Sequence, residues 1–144
     1  MYYLLFISHL CYIIYSMKAI HNFDPIYDAN AQVLILGTMP SVISRENKFY
    51  YAHPQNRFWK IMEKLFLIQL QTIEDKKKFL LDYHIALWDV ISSCDIEGSS
   101  DASIKNIILN DISLILDNAP IKCIFVQERK AINFLKSFSI LLAL

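Results

Sequence analysis

Three strand-like stretches, the continuous apolar run at residues 33–36 (VLIL) and then residues 85–90 (IALWDV) and 121–126 (IKCIFV), are separated by stretches of helical periodicity. That alternation constrains the chain more than any other feature. A continuous apolar run of this length suits a strand buried on both faces, as in a parallel sheet. Between the first two runs, Phe58, Ile61, Met62, Leu65 and Phe66 fall at i, i+3, i+4, i+7 and i+8, one stripe of an amphipathic helix. Thr72 and Asp75 have the spacing of a capping box that opens another helix, with Lys76, Lys77 and Lys78 on its wet side. Asn110 or Asp111 is expected to cap a short helix bearing Ile112, Ile115 and Leu116, ended by Asn118 and Pro120. A last helix places Ala131, Phe134, Leu135 and Phe138 on one face. Strands alternating with helices predict an α/β layered sheet with right-handed crossovers.

The 144 residues, 55% of them hydrophobic, suffice for one domain with a sizeable core and are too few for two. Lys+Arg and Asp+Glu number 14 each, which argues against coating nucleic acid by bulk charge but leaves room for an enzyme that touches a few phosphates. Cys11, Cys94 and Cys123 are scattered and lack metal-ligand spacing. They read as reduced thiols of a cytoplasmic protein without a metal site. Residues 2–15 (YYLLFISHLCYIIY) are almost wholly apolar, yet they fall short of the ~20 residues a spanning helix needs, and no basic residue precedes them. Residues 1–16 are therefore expected to be an upstream extension, with the domain proper at 17–144. A membrane-anchored interaction module is the alternative. Residues 138–144 (FSILLAL) are apolar too, either a fourth strand directly after the helix or the point where a longer natural chain has been cut; truncation is the preferred expectation.

Open parallel sheets hold ligands at the carboxyl ends of their strands, so the segment after residue 36 is where chemistry is expected. It contains Gly37, Thr38, Met39, Pro40, Ser41 and Ser44, then Phe49, Tyr50, Tyr51, His53 and Asn56. Gly37 permits close backbone approach and Pro40 stiffens the turn. The aromatic trio offers faces on which an unstacked base can sit. Arg45, Lys48 and Arg57 are placed to meet phosphates. Each residue also has a structural reading. Asn56 stands where a helix N-cap belongs, the aromatics can pack on the core, and His53 can be an ordinary surface histidine. A phosphate-binding hydrolase is disfavoured, because the loop lacks the GxxxxGK[ST] pattern and has no Lys at its core.

In combination, GTMPS, YYAHPQNRFW, IALWDVISSC and EGSSDASI resemble the hypoxanthine-DNA glycosylase (DNA-deoxyinosine glycosylase) branch of the uracil-DNA glycosylase superfamily over roughly residues 17–136. The resemblance implies a three-layer α/β/α sandwich around a four-stranded parallel sheet, here without its last strand and its Ser-rich loop. It implies a monofunctional enzyme that hydrolyses the glycosidic bond of a flipped deaminated base, hypoxanthine or uracil, in double-stranded DNA, as a monomer with no cofactor. A catalytically inactive remnant is the alternative. Where mismatch-uracil relatives carry a water-positioning Asn, this chain has Met39, and the resemblance implies that Asn56 takes that role. Gly37, Thr38, Met39, Pro40, Ser41, Tyr51 and His53 would form the base pocket, while Ser44, Lys48 and Arg57 would contact DNA. Asp89, Ser99 and Asp101 belong to the second block of resemblance with no role assigned. Gln127-Glu128 replaces the family's Asn-Gly, and a negative Glu128 near a phosphate would be unfavourable. With Glu46 as the only acid in the loop, bond breaking is expected to run ahead of water attack. The departing base would then be stabilised by backbone N–H groups of residues 37–41.

Overall fold

The structure is a computed structural model that describes residues 16–97 and 103–137. The expectations for the N-terminal apolar run, Ser99, Asp101, the tail and the side chains of Leu135 and Phe138 lie outside the described residues.

Three strands build a parallel sheet: β2 (Val33–Gly37) lies between β3 (Ile85–Asp89) and β6 (Cys123–Val126). Successive strand residues point to opposite faces. In β2, Leu34 and Leu36 are 0% exposed and Ile35 7%, so both faces of the sheet are covered. That is the three-layer arrangement. The cover includes Phe58 and Trp59 of α2 (Phe58–Phe66), Phe79 and Leu80 of α3 (Ile73–Asp82), Ile115 of α4 (Ser113–Leu116) and Ala131 of α5 (Arg129–Ser137). A short α1 (Val42–Asn47) follows the first strand of this sheet. Ile26 pairs antiparallel with Leu87 at the outer side of β3, covering that edge at one point. On the other side β6 is the edge among the described residues, and its Phe125 is 58% exposed.

A second sheet was not foreseen. β1 (Ser16–Ile20), β4 (Ile91–Glu97) and β5 (Lys105–Leu109) pair antiparallel in the order β1-β4-β5. Only Val90 separates β3 from β4, so a single stretch of chain leaves the parallel sheet and enters the antiparallel one. Asn110 clasps this bend, donating through Nδ2 to the carbonyls of Asp89 (2.9 Å) and Ile91 (3.3 Å) while its own N–H reaches Val90. The N-cap of α4 is neither Asn110 nor Asp111 but Ile112, which has no side-chain cap bond; the Asp111 carboxylate instead accepts from the Ser113 N–H and hydroxyl in the turn ahead of the helix. The capping box at Thr72 and Asp75 forms reciprocally, and the Thr72 N–H and hydroxyl hold the Asp75 carboxyl below its usual pKa. Lys76 departs from the expected solvated face. Its ammonium lies 5.5 Å from the Trp59 ring and 5.9 Å from that of Phe49, a cation–π contact, whereas Lys77 and Lys78 stay exposed.

Candidate active site

Gly37 ends β2, Asp89 ends β3, and Gln127 and Glu128 follow β6, so the carboxyl ends of all three parallel strands meet at one place. A pocket of about 420 Å³ opens there, within the range of ~300–1,000 Å³ usual for small-molecule sites. It gathers Gly37, Thr38, Met39, Pro40, Ser41, Ser44, Tyr51, His53 and Asn56 of the expected pocket and DNA contacts, brings in Arg45, Tyr50, Asp89, Gln127 and Glu128, and adds Ile96. Lys48 and Arg57 do not line it. Lys48 is the left-handed C-cap of α1, and Arg57 opens α2 beside a separate groove.

The loop is held by its own polar groups. Ser41 caps α1 by accepting the Ser44 N–H, and its hydroxyl donates to the Ser44 hydroxyl at 3.1 Å. Ser44 is buried and also accepts the Ala52 N–H, so it ties the two halves of the loop together. Arg45 donates to the Pro40 carbonyl at 2.7 Å. Met39 leans on the small cluster formed by Ala19, Ile91 and Cys94 between the loop and the antiparallel sheet.

The aromatic trio divides. Phe49 stacks on Trp59 in the core, with centroids 5.6 Å apart. Tyr50 is buried, donates its hydroxyl to the Asp24 carbonyl, and lends its own carbonyl to the Trp59 indole N–H. Tyr51 alone adopts the left-handed region (φ 53°), a conformation that costs a bulky residue about 1–3 kcal/mol and recurs at functional sites. One face of its ring stacks on Phe58 at 4.2 Å. Its hydroxyl is buried with no hydrogen-bond partner, and desolvation together with the nearby Asp89 carboxyl pushes its pKa well up.

Asn56 lines the pocket and is solvent-exposed, and its Oδ1 accepts the Phe58 N–H at 2.8 Å. The side chain thus holds a main-chain N–H at the start of α2, one residue ahead of the N-cap Arg57, while standing at the pocket's lip. A carbonyl oxygen has a second lone pair, and Nδ2 remains a donor. His53 accepts the Gln55 N–H at Nδ1, which puts the proton of the neutral ring on Nε2.

Two carboxylates, Asp89 and Glu128, enter the pocket from outside the motif loop, within which Glu46 is the only acid. Asp89 is 3% exposed, and its Oδ2 lies 3.0 Å from His21 Nε2. Burial raises its pKa, with the His21 hydrogen bond pulling the other way. His21 arrives because β1 pairs with β4: the residue after β1 bonds to Ser92 and its ring reaches across to the end of β3. Glu128 accepts the Thr38 hydroxyl at 2.6 Å. The approach of Asp89 explains Gly37. A Cβ at that position would overlap Asp89 Oδ1 outright and lie 3.1 Å from the Tyr51 hydroxyl. No local pattern marked His21 as part of this site, since its partner is 68 residues away. Asp89 stands out in the sequence only as part of the second block of resemblance, with no role assigned.

Among the described residues no group of three or more His, Cys, Asp or Glu could hold a metal ion, and no helix is long and apolar enough to cross a membrane. Residues 25–136 match the uracil DNA glycosylase superfamily. The chain is 34% identical over 113 residues to the hypoxanthine DNA glycosylase of Methanosarcina barkeri (strain Fusaro), covering 76% of this chain and 72% of that protein. It is 36% identical over 113 residues to the hypoxanthine DNA glycosylase of Methanosarcina acetivorans, with the same coverage. The solution NMR structure of a candidate uracil DNA glycosylase from Methanosarcina acetivorans superposes with a TM-score of 0.72 at 32% identity, covering 85% of this chain and 79% of that one. The chain belongs to the uracil-DNA glycosylase superfamily, in its hypoxanthine-DNA glycosylase branch.

Proposed function

We propose that this protein is a monofunctional DNA glycosylase that removes hypoxanthine, and with it uracil, from double-stranded DNA, acting in the cytoplasm as a monomer. The observation that carries the reading is the convergence of three strand ends on one pocket that also holds Asn56 at its lip, in a chain of this family. A base inside a duplex is out of reach, so the nucleotide must rotate out at a cost of a few kcal/mol, which is smaller for a damaged or mispaired base. Residues 37–41 then supply backbone N–H groups to the extruded base, and His53 Nε2–H adds a further donor. Asn56 orients water toward the sugar carbon with the lone pair that Phe58 leaves free.

The two carboxylates refine the chemistry. An amide cannot take a proton usefully at neutral pH, and a negative Glu128 near the pocket mouth favours a cationic sugar. The bond to the base therefore breaks ahead of water attack, and the carboxylates steady the cation. Lys48 and Arg57 lie outside the pocket, where the duplex backbone would pass.

The test is excision from inosine- and uracil-containing duplexes. Asn56→Ala is expected to lower the single-turnover rate at least ~100-fold, the size of effect seen when a positioned polar group is lost. It also removes the bond to the Phe58 N–H, so circular dichroism must show a folded variant. Asn56→Asp, which keeps the capping oxygen, separates the two roles. An unchanged rate in folded Asn56→Ala would reduce this side chain to a cap.

A further inference from the structure

Arg57, Lys60 and Lys64 fall at i, i+3 and i+7, so they form one ridge along α2. All three are exposed, and none pairs with a carboxylate among the described residues. The ridge borders an open groove of about 720 Å³, separate from the pocket, that also takes in Ile61, Gln69 and Gln71. Glu63 is the only acid lining this groove, and it is already committed. Its Oε1 accepts the Leu70 N–H at 2.8 Å, which ties the turn after α2 back to the helix. Three cations against one acid stand out in a chain whose formal net charge is zero. Like charges three and four residues apart destabilise a helix, so the ridge works against α2 unless an anion lies over it.

Position narrows the choice of anion. Asn56 stands at the lip of the pocket and Arg57 is the next residue, so the groove begins where the pocket ends. At ~1.5 Å per residue the ridge runs ~10 Å along the helix, about the length of three base pairs at ~3.4 Å each. Ile61 belongs to the apolar stripe of α2, yet it is 48% exposed and lies in the groove. A duplex backbone offers both complements: phosphates for the cations and the carbon faces of its sugars for Ile61. The amides of Gln69 and Gln71 can donate to the same phosphates.

We infer that the α2 groove holds the phosphate backbone of the undamaged duplex next to the lesion, with Arg57, Lys60 and Lys64 each neutralising a phosphate. Such contacts carry no base information, but they fix the register of the duplex against the pocket. Counterions released from the DNA drive them, so they make binding depend steeply on salt. This inference rests on the glycosylase reading and adds the track on which the duplex lies.

The test is equilibrium binding of the full chain to an undamaged duplex over a range of salt concentrations. Each phosphate contact contributes about 0.9 to the slope of log K against log salt. The double variant Lys60→Gln with Lys64→Gln is expected to lower that slope by about 1.8 and to weaken binding at low salt. Glutamine is a good helix former, so α2 is expected to persist, with circular dichroism as the check. A comparison variant, Lys105→Gln with Lys122→Gln, removes two charges from β5 and from the residue before β6, and is expected to keep the native slope. A native slope in the Lys60 and Lys64 variant would overturn the inference and leave the groove to an acidic protein surface. An equal loss of slope in the comparison variant would overturn it as well. Excision from an inosine-containing duplex, measured alongside, reads the enzyme proposal separately. Salt-dependent binding through α2 without excision of any deaminated base would remove the glycosylase reading and leave a DNA-binding face. Excision with an unaltered slope would remove the groove alone.

Discussion

Single residues at the strand ends carry opposing demands. Asp89 is held in a buried position that penalises its charge, and its carboxyl pKa is raised in consequence, desolvation outweighing the His21 hydrogen bond. A carboxyl with a folded-state pKa above its unfolded value binds its proton more tightly in the native protein. Its contribution to stability is thus fully present below the ordinary carboxylate pKa, and is lost as pH rises through the raised one. Asp89→Asn has no such titration and is expected to melt at a higher temperature than the native protein at pH 7, with the gap closing toward pH 3. Thermal melts by circular dichroism across that range decide it. A gap that widens on acidification would contradict the assignment. Asn56 shows a related tension, since one side chain both holds the Phe58 N–H ahead of α2 and lines the pocket.

At the scale of elements, local rules and long-range contacts part company. The stripe Phe58, Ile61, Met62, Leu65 and Phe66 and the Thr72–Asp75 box are helical signals within a few residues of chain, and α2 and α3 form where they stand. The strands of the parallel sheet were equally legible: β2 and β3 are mostly apolar and buried on both faces, and β6, though less buried, is apolar throughout. The antiparallel sheet was not. β5 is half-exposed and begins Lys-Asn, β4 carries Ser92, Ser93 and Asp95 among its apolar residues, and β1 lies far from its partner in sequence. What joins the two sheets is the bend at Val90, held by Asn110. Asn110→Ala would leave the carbonyls of Asp89 and Ile91 without their shared donor and is expected to cost ~1–3 kcal/mol in urea unfolding. A loss no larger than that of an exposed alanine substitution would mean that pairing within the sheets alone holds the bend.

Across the whole molecule, covering is uneven. The β3 side of the parallel sheet is buried and bridged by Ile26, whereas β6 borders the described sheet with Phe125 exposed. An aromatic side chain exposed at the border of a sheet invites self-association. Phe125→Ser is expected to lower light scattering at high protein concentration while shifting stability by only ~1 kcal/mol, because little of the side chain is buried to begin with. An unchanged scattering profile would show that the edge is not the sticky surface. Periodicity and local capping, which act over a few residues, sufficed to reveal an α/β protein with a ligand loop after its first parallel strand, and motif spacing pointed to the family. The composition of the pocket required the folded chain. Asp89, Glu128 and His21 reach it from strands and turns that only sheet pairing brings together, and the division of Phe49, Tyr50 and Tyr51 into core and pocket depends on which way a turn directs each ring. Contacts of that kind are set by the packing of distant segments, and nothing in the neighbouring sequence encodes them.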